Sequence, residues 1–346
     1  IWSQGQDPVT VDGNVAVPGK GLDESERGHG AVEISLDYGG GITTLVGPGS
    51  VAVPGTLAAM EDAWQNYGRA PWQAIFEPTI RACRDGFPLS GACRYYLGYS
   101  GDIIFGRSAD GHRAVHHEDG SLVDAGDTVV VPHLADTLDA IAREGGRIFY
   151  EGDIAKAIAD HCRGGDGMLT REDLASYRAV ERAPLVNAIG DWQLATNPPP
   201  AVGGSVLTAM LLACADLDIE RWDSHALGHL INAQRACLDF RQRNLDLADE
   251  VGPEAARLVE AARDGSLLAR WTSASTVHTS VVDDSGNGCA ITASSGYGSG
   301  EMPDGTGLWL NNCLGEIELN RRGLDAGPPG IRLPSNMAPS VARRDG

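Results

Sequence analysis

Between Ser275 and Gly300 the chain reads STVHTSVVDDSGNGCAITASSGYGSG, and few segments leave so little choice of local structure. Thr276, His278 and Ser280 alternate with their neighbours, and Val281 and Val282 follow, the period-two pattern of a half-buried strand. The cluster Asp283-Asp284-Ser285-Gly286-Asn287-Gly288 is turn chemistry, and Cys289 to Thr292 supplies a second run of strand-forming residues. The segment therefore predicts a β-hairpin with hydroxyls along one face. On its own that pattern demands no catalytic role, because β-branched and small residues also suit an ordinary pleated surface.

The rest of the chain predicts helices set among such strands. Residues 1 to 55 carry short apolar runs broken by glycine pairs, the pattern of strands and loops. Leu57, Met60 and Trp64 repeat at helical spacing behind Thr56 as N-cap, and Pro71 opens a helix over Trp72 to Cys83. Residues 98 to 130 are polar and predict a loop in which His112, His116, His117, Glu118 and Asp119 are solvated and hold no metal. Helices follow over His133 to Gly145, Ile154 to Cys162, a start capped by Thr170, Ser205 to Asp216, and His225 to Ala248. Trp192 to Thr196 predicts a strand, stopped by Pro198-Pro199-Pro200.

Composition removes several function classes. The chain has 346 residues, and its 42% hydrophobic content can build a sizeable core. The 27 basic against 47 acidic residues leave a net charge of -20, which repels phosphate backbones, so no nucleic-acid partner is expected. No run of 18 apolar residues occurs, so no membrane span is expected. Seven cysteines without a CxxC indicate neither a zinc site nor a disulfide framework. Glu172-Asp173 and Asp283-Asp284 read as a helix start and a turn rather than a tuned acid/base pair. Gly296, Gly298 and Gly300 lack the strand-turn-helix context of a dinucleotide loop. No GxSxG elbow is present, and no cofactor is implied.

Seven stretches, in order along the chain, resemble the gamma-glutamyltransferase (gamma-glutamyltranspeptidase) family of N-terminal nucleophile hydrolases. They are VPGTLAAMEDAWQNYGRAPWQAIFEPTIRACRDGFPLS, IFYEGDIAKAIADH, MLTREDLASYRAVERAPL, NPPPAVGGSVL, STVHTSVVDDSGNGCAIT, LWLNNCLGEIEL and RLPSNMAPS. The resemblance implies an α+β fold, a four-layer αββα sandwich, here truncated at both ends. It also implies one integrated domain: a large-subunit segment over 1–275 and the start of a small subunit over 276–346.

The same resemblance assigns chemistry. The precursor would cut itself at Ser275-Thr276, and Thr276 would then serve as nucleophile. Its freed α-amine, with a reference pKa of about 8, would act as the base. Ser294 takes the position that orients this amine. Ser295 matches a substrate-binding Asn, Cys313 stands where some members have Gln, and Glu316 falls where an acidic residue receives the substrate's α-ammonium. Ser335 and Asn336 replace the paired serines that hold the α-carboxylate, and Asn14 falls where many members use an arginine for that anion. Val277 replaces a second threonine, and the paired glycines of the oxyanion hole are expected beyond Gly346. The departures at Asn14 and Cys313 leave open an amidohydrolase with a different acyl group, and Val277 leaves open a non-catalytic relative serving as a binding or structural module. The implied partners are a gamma-glutamyl donor such as glutathione and an amino acid, peptide or water acceptor. Two subunits would arise from one precursor, with homo-oligomers left open. The implied compartment is the periplasm or exterior, with the cytoplasm as alternative.

Overall fold

The structure is a computed structural model that describes residues 1–215, 221–264 and 277–344. Its secondary structure is of the α+β type, with helices and antiparallel strands in each of two compact units. One unit comprises Gly13–Ala179 and Ser295–Arg332; the other comprises Ile1–Asp12, Val180–Ser294 and Leu333–Gly346.

In the unit containing Gly13–Ala179, strands Val32–Leu36 and Ile42–Val46 pair antiparallel, from Val32 opposite Val46 to Leu36 opposite Ile42. Leu36 and Val46 point into a small core with Ile104 and Tyr297. The larger core gathers Val51, Val53, Tyr150, Ile158, Cys162, Leu169 and Leu174. Helix Asp153–Gly164 contributes Ala155, Ile158, Ala159 and Cys162, the apolar stripe of a period near 3.6. Complete burial of a side chain such as Ile158 is worth about 2 kcal/mol. Tyr150 carries its hydroxyl into this core because both hydrogen-bonding functions are met: it donates to Pro54 O at 3.2 Å and accepts from Ala58 N at 3.1 Å.

Helix Arg171–Ser176 starts as its sequence predicts, with Thr170 as N-cap and Asp173 completing a capping box. The Asp173 carboxylate also accepts from Gly19 N at 2.7 Å and Lys20 N at 3.0 Å, which ties a distant loop to the helix start. Helix Thr56–Tyr67 differs slightly from expectation. Gly55 holds the N-cap position and Thr56 is already helical, with no side-chain cap.

The predicted loop over residues 98 to 130 is corrected by the structure. A helix Gly91–Ser100 passes into a π-helical turn at Gly101–Phe105, and a second helix spans Ala109–Val115. Serine caps explain them: Ser90 Oγ accepts from Cys93 N at 3.1 Å, and Ser108 Oγ accepts from Gly111 N at 3.0 Å. Leu97, Ala114 and Val115 supply the buried face. His116 is likewise not solvated. Its side chain is 1% exposed, and the π turn brings Asp102 Oδ1 within 2.8 Å of Nε2. His112 stacks on it at 3.9 Å between ring centroids.

In the other unit, Trp192–Thr196 is the central strand of a three-stranded antiparallel sheet between Leu185–Ile189 and Ser340–Arg344. Helices Gly203–Ala213, Ser224–Phe240 and Val251–Arg263 enclose Val206, Ala209, Cys237, Leu245, Ala255 and Leu258. A π-helical turn at Arg241–Leu245 extends the second of these helices. It closes on an almost fully buried ion pair, Arg241 Nε to Asp246 Oδ1 at 2.7 Å. The expected end of the first helix at Asp216 lies outside the described residues.

The hairpin is present as strands Val277–Val282 and Gly288–Ala293, paired from Val282 opposite Gly288 to Val277 opposite Ala293. Asp283 builds its turn, accepting from Ser285 N at 3.0 Å and from Asn287 N at 2.9 Å. Gly286 occupies the left-handed region at φ +76°.

Candidate active site

The acidic centre of the unit containing Gly13–Ala179 is built from the loop after the hairpin and the segment Leu308–Asn320. Gly296, Gly298 and Gly300 all have positive φ, and the chain then turns at Asp304–Thr306 rather than entering a helix. Asn312, with no solvent exposure, organises this loop. Its Oδ1 accepts from Tyr297 N at 2.8 Å and Gly298 N at 3.1 Å, while Nδ2 donates to Thr44 Oγ1 and Leu45 O, both at 3.0 Å. One side-chain amide thus joins strand Ile42–Val46 to the glycine loop. The neighbouring Asn311 does the same for Ala52, accepting from its N at 3.1 Å and donating to its O at 2.9 Å.

Glu316 lies against this frame. A Cβ at Gly296 would stand 2.7 Å from Glu316 Oε2 and would also meet Asn312 Oδ1, so glycine is required there for space as well as for its φ of +67°. Glu316 is 8% exposed. Loss of solvent, and then the like charge of Glu318, push its carboxyl up to about 7, against a smaller opposing hydrogen bond from the Cys313 thiol. No Lys, Arg or His among the described residues forms an ion pair with it. The Cys313 thiol is raised well above its ordinary range by burial first and by Glu316 second, so it is a hydrogen-bond donor rather than a thiolate nucleophile.

Two tyrosines complete the cluster. Tyr297 donates its hydroxyl to Glu318 Oε1, and burial together with that carboxylate raises its ionisation strongly. Tyr96 is pushed up to about 12, by burial first and then by Tyr38 and Glu316. Both phenols are neutral donors over the physiological range. Tyr297, Glu318, Tyr96 and Asn312 were not singled out from the sequence, although Asn312 and Glu318 lie inside LWLNNCLGEIEL and Tyr297 lies inside the stretch from Ser275 to Gly300.

The remaining expected residues fall as follows. Ser295 is exposed, and its carbonyl accepts from Asn312 N at 3.2 Å. The Asn14 carbonyl accepts from Tyr177 Oη at 2.6 Å and Arg332 Nη1 at 3.0 Å, and Arg332 stacks 4.1 Å above the Tyr177 ring. Within this unit, Cys313 and Glu316 are brought into direct contact, and Ser295 is joined to them through Asn312.

In the other unit, Ser335 O accepts from Val202 N at 2.9 Å and Gly203 N at 3.0 Å, the first free donors of helix Gly203–Ala213. Ser335 Oγ accepts from Met337 N at 3.2 Å. Any side chain on Gly203 would collide with the Asn336 carbonyl, which explains a glycine at that helix start. Asn197 Nδ2 holds Met337 O at 2.9 Å, so the NPPP turn fixes the same strand entry. Ser294 directly follows the last paired residue of the hairpin, Ala293. On the hairpin, His278 bonds Thr292 Oγ1 at 2.7 Å through Nδ1 and Ser280 Oγ at 2.8 Å through Nε2, so a hydroxyl-rich face exists as expected. Ser275 and Thr276 lie outside the described residues. Among the described residues no group of three or more His, Cys, Asp or Glu is placed to hold a metal ion, and no helix is long and apolar enough to cross a membrane.

The family described as gamma-glutamyltranspeptidase matches residues 37–346. The chain belongs to the gamma-glutamyltranspeptidase family. Among curated relatives, the glutathione hydrolase proenzyme of Escherichia coli (strain K12) is 29% identical over 328 residues, 85% of this chain and 56% of that protein. Glutathione hydrolase 3 of Arabidopsis thaliana is 28% identical over 336 residues, 86% of this chain and 52% of its own length. The chain thus spans about half the length of the curated relatives it matches. Cephalosporin acylase from Bacillus halodurans superposes with a TM-score of 0.75 at 22% identity, covering 99% of this chain and 65% of that one. The gamma-glutamyltranspeptidase of Helicobacter pylori gives a TM-score of 0.64 at 23% identity, with 76% and 75% covered. These two likenesses describe the fold of this member of the gamma-glutamyltranspeptidase family and nothing beyond it.

Proposed function

We propose that the chain carries the nucleophile and part of the acyl pocket of a self-processing gamma-glutamyl transferase or hydrolase, acting on glutathione-like amides within a four-layer αββα fold. The observation that carries this reading is Glu316, a buried carboxylate without a cationic partner among the described residues, at the position that family members use for the substrate's α-ammonium. An unpaired buried anion is costly, and a bound ammonium removes that cost.

In the proposed sequence the Thr276 hydroxyl attacks the Ser275 carbonyl, and the resulting ester is hydrolysed to leave Thr276 with a free α-amine. That amine takes the hydroxyl proton as Thr276 attacks the γ-carbonyl of the donor. A gamma-glutamyl ester forms, the donor's amine leaves with a proton, and water or an acceptor amine cleaves the ester. General-base assistance of this kind is worth about 10² to 10⁴ in rate. Ser294 orients the α-amine; Ser295, Cys313, Ser335 and Asn336 line the acyl site. The segments 1–275 and 276–346 belong to the two subunits that the cut produces.

A second reading keeps Thr276 and changes the acyl group. Asn14 supports it, because its carbonyl is engaged by Tyr177 and Arg332 and its side chain offers no cation to an α-carboxylate.

Expression of the intact precursor separates these readings. Two bands on a denaturing gel, the smaller beginning at Thr276, are expected, and Thr276→Ala abolishes both the cut and turnover. Release of nitroaniline from gamma-glutamyl-p-nitroanilide by the cut protein supports the first reading. A cut protein that is inert to this substrate supports the second, and an uncut wild-type chain overturns both.

A further inference from the structure

Helix Ser224–Phe240 carries His225 and His229 one turn apart, both exposed. Their rings meet edge to face at 4.5 Å between centroids, and the two Nε2 atoms stand 3.2 Å apart. Imidazole nitrogens so placed can share one proton or turn both lone pairs on one cation. A metal at about 2.0–2.1 Å from each nitrogen sets them about 3.3 Å apart in tetrahedral geometry and about 2.9 Å apart at the right angle of an octahedron. The observed 3.2 Å lies between these two bites.

We propose that His225 and His229 form a surface site for a late first-row divalent metal ion of the zinc, nickel and copper class, the ions that imidazole ligands favour. The site is braced at its base. Asp223 Oδ1 accepts from His225 N and Ala226 N, both at 3.0 Å, which fixes the first turn of the helix and sets a carboxylate beside His225. Among the described residues no further His, Cys, Asp or Glu completes a group of three, so water fills the remaining positions. The bound ion bridges two successive turns and stabilises the folded helix by mass action.

The test titrates the full chain with zinc chloride and compares wild type with His225→Ala, His229→Ala and the volume-preserving His229→Gln. Calorimetry gives stoichiometry and affinity, and thermal unfolding is followed with and without metal. The expected result is one equivalent lost, or that equivalent weakened at least about tenfold, in all three variants, because a two-point chelate becomes a single ligand. Zinc then raises the unfolding midpoint of wild type more than that of any variant, while the metal-free midpoints agree. Equal stoichiometry, affinity and metal-induced shift in wild type and variants overturn the proposal.

Discussion

Glu316→Gln is the most informative single change, because the carboxylate's burial turns pH into a measure of its environment. Its carboxyl is raised from 4.5 to about 7, chiefly by loss of solvent. At about 1.4 kcal/mol for each tenfold change, that rise corresponds to about 3 kcal/mol. The sign follows from proton uptake. Between about pH 4.5 and 7 the folded chain holds a proton that the unfolded chain has released. The stability associated with Glu316 is therefore full below 4.5 and is lost as the pH rises through 7. Gln does not titrate, so the stability of wild type relative to Glu316→Gln falls by up to about 3 kcal/mol from pH 4.5 to 8. Tyr96, raised to about 12, does not ionise in this window, and Tyr297 ionises higher still. Urea unfolding of both proteins at pH 5, 6, 7 and 8, with Thr276→Ala in each to prevent cleavage, reads the difference directly. A constant difference across these pH values refutes the assignment of a desolvated carboxylate without a cationic partner among the described residues. A bound gamma-glutamyl compound shrinks the pH step under the proposed function, because its ammonium stabilises the anion.

Three further outcomes follow from other parts of the structure. Gly296→Ala loses about 1–3 kcal/mol from backbone strain at φ +67° alone, and the contact with Glu316 adds to this; a lowered urea midpoint measures the loss. Thr208 has a buried hydroxyl without a hydrogen-bond partner among the described residues, so Thr208→Val stabilises by about 1 kcal/mol in the same assay, and a destabilised variant contradicts that reading. All seven cysteines are free thiols, and burial pushes Cys162 and Cys237 up to about 12. Brief alkylation at pH 8 followed by mass spectrometry therefore labels exposed Cys93 first and spares those two.

Much of the fold is written locally. The stripe Ala155, Ile158, Ala159 and Cys162 declares its helix through spacing, and Asp283 to Gly288 declares a turn through residue type. The helices Gly91–Ser100 and Ala109–Val115 were hidden because short, serine-capped helices rich in glycine and polar residues show little periodicity, and their buried face depends on partners distant in sequence. The acidic centre was legible at Glu316 and Cys313 only through resemblance. Asn312 acts through Thr44, 268 positions away, and Tyr297 through Glu318, so their roles exist only once the chain has folded. His116 was misjudged for the same reason, since its partner Asp102 is delivered by a π-helical turn that no spacing rule anticipates.

The four hydrogen bonds of Asn312 also bear on how this protein can change over time. A side chain that satisfies a strand and a loop together has no neutral neighbour in sequence space: Asp loses the donors, Leu loses everything, and Gln is too long. Substitution is therefore tolerated far less at this frame than at a side chain that bears none of its weight, such as that of exposed Ser295.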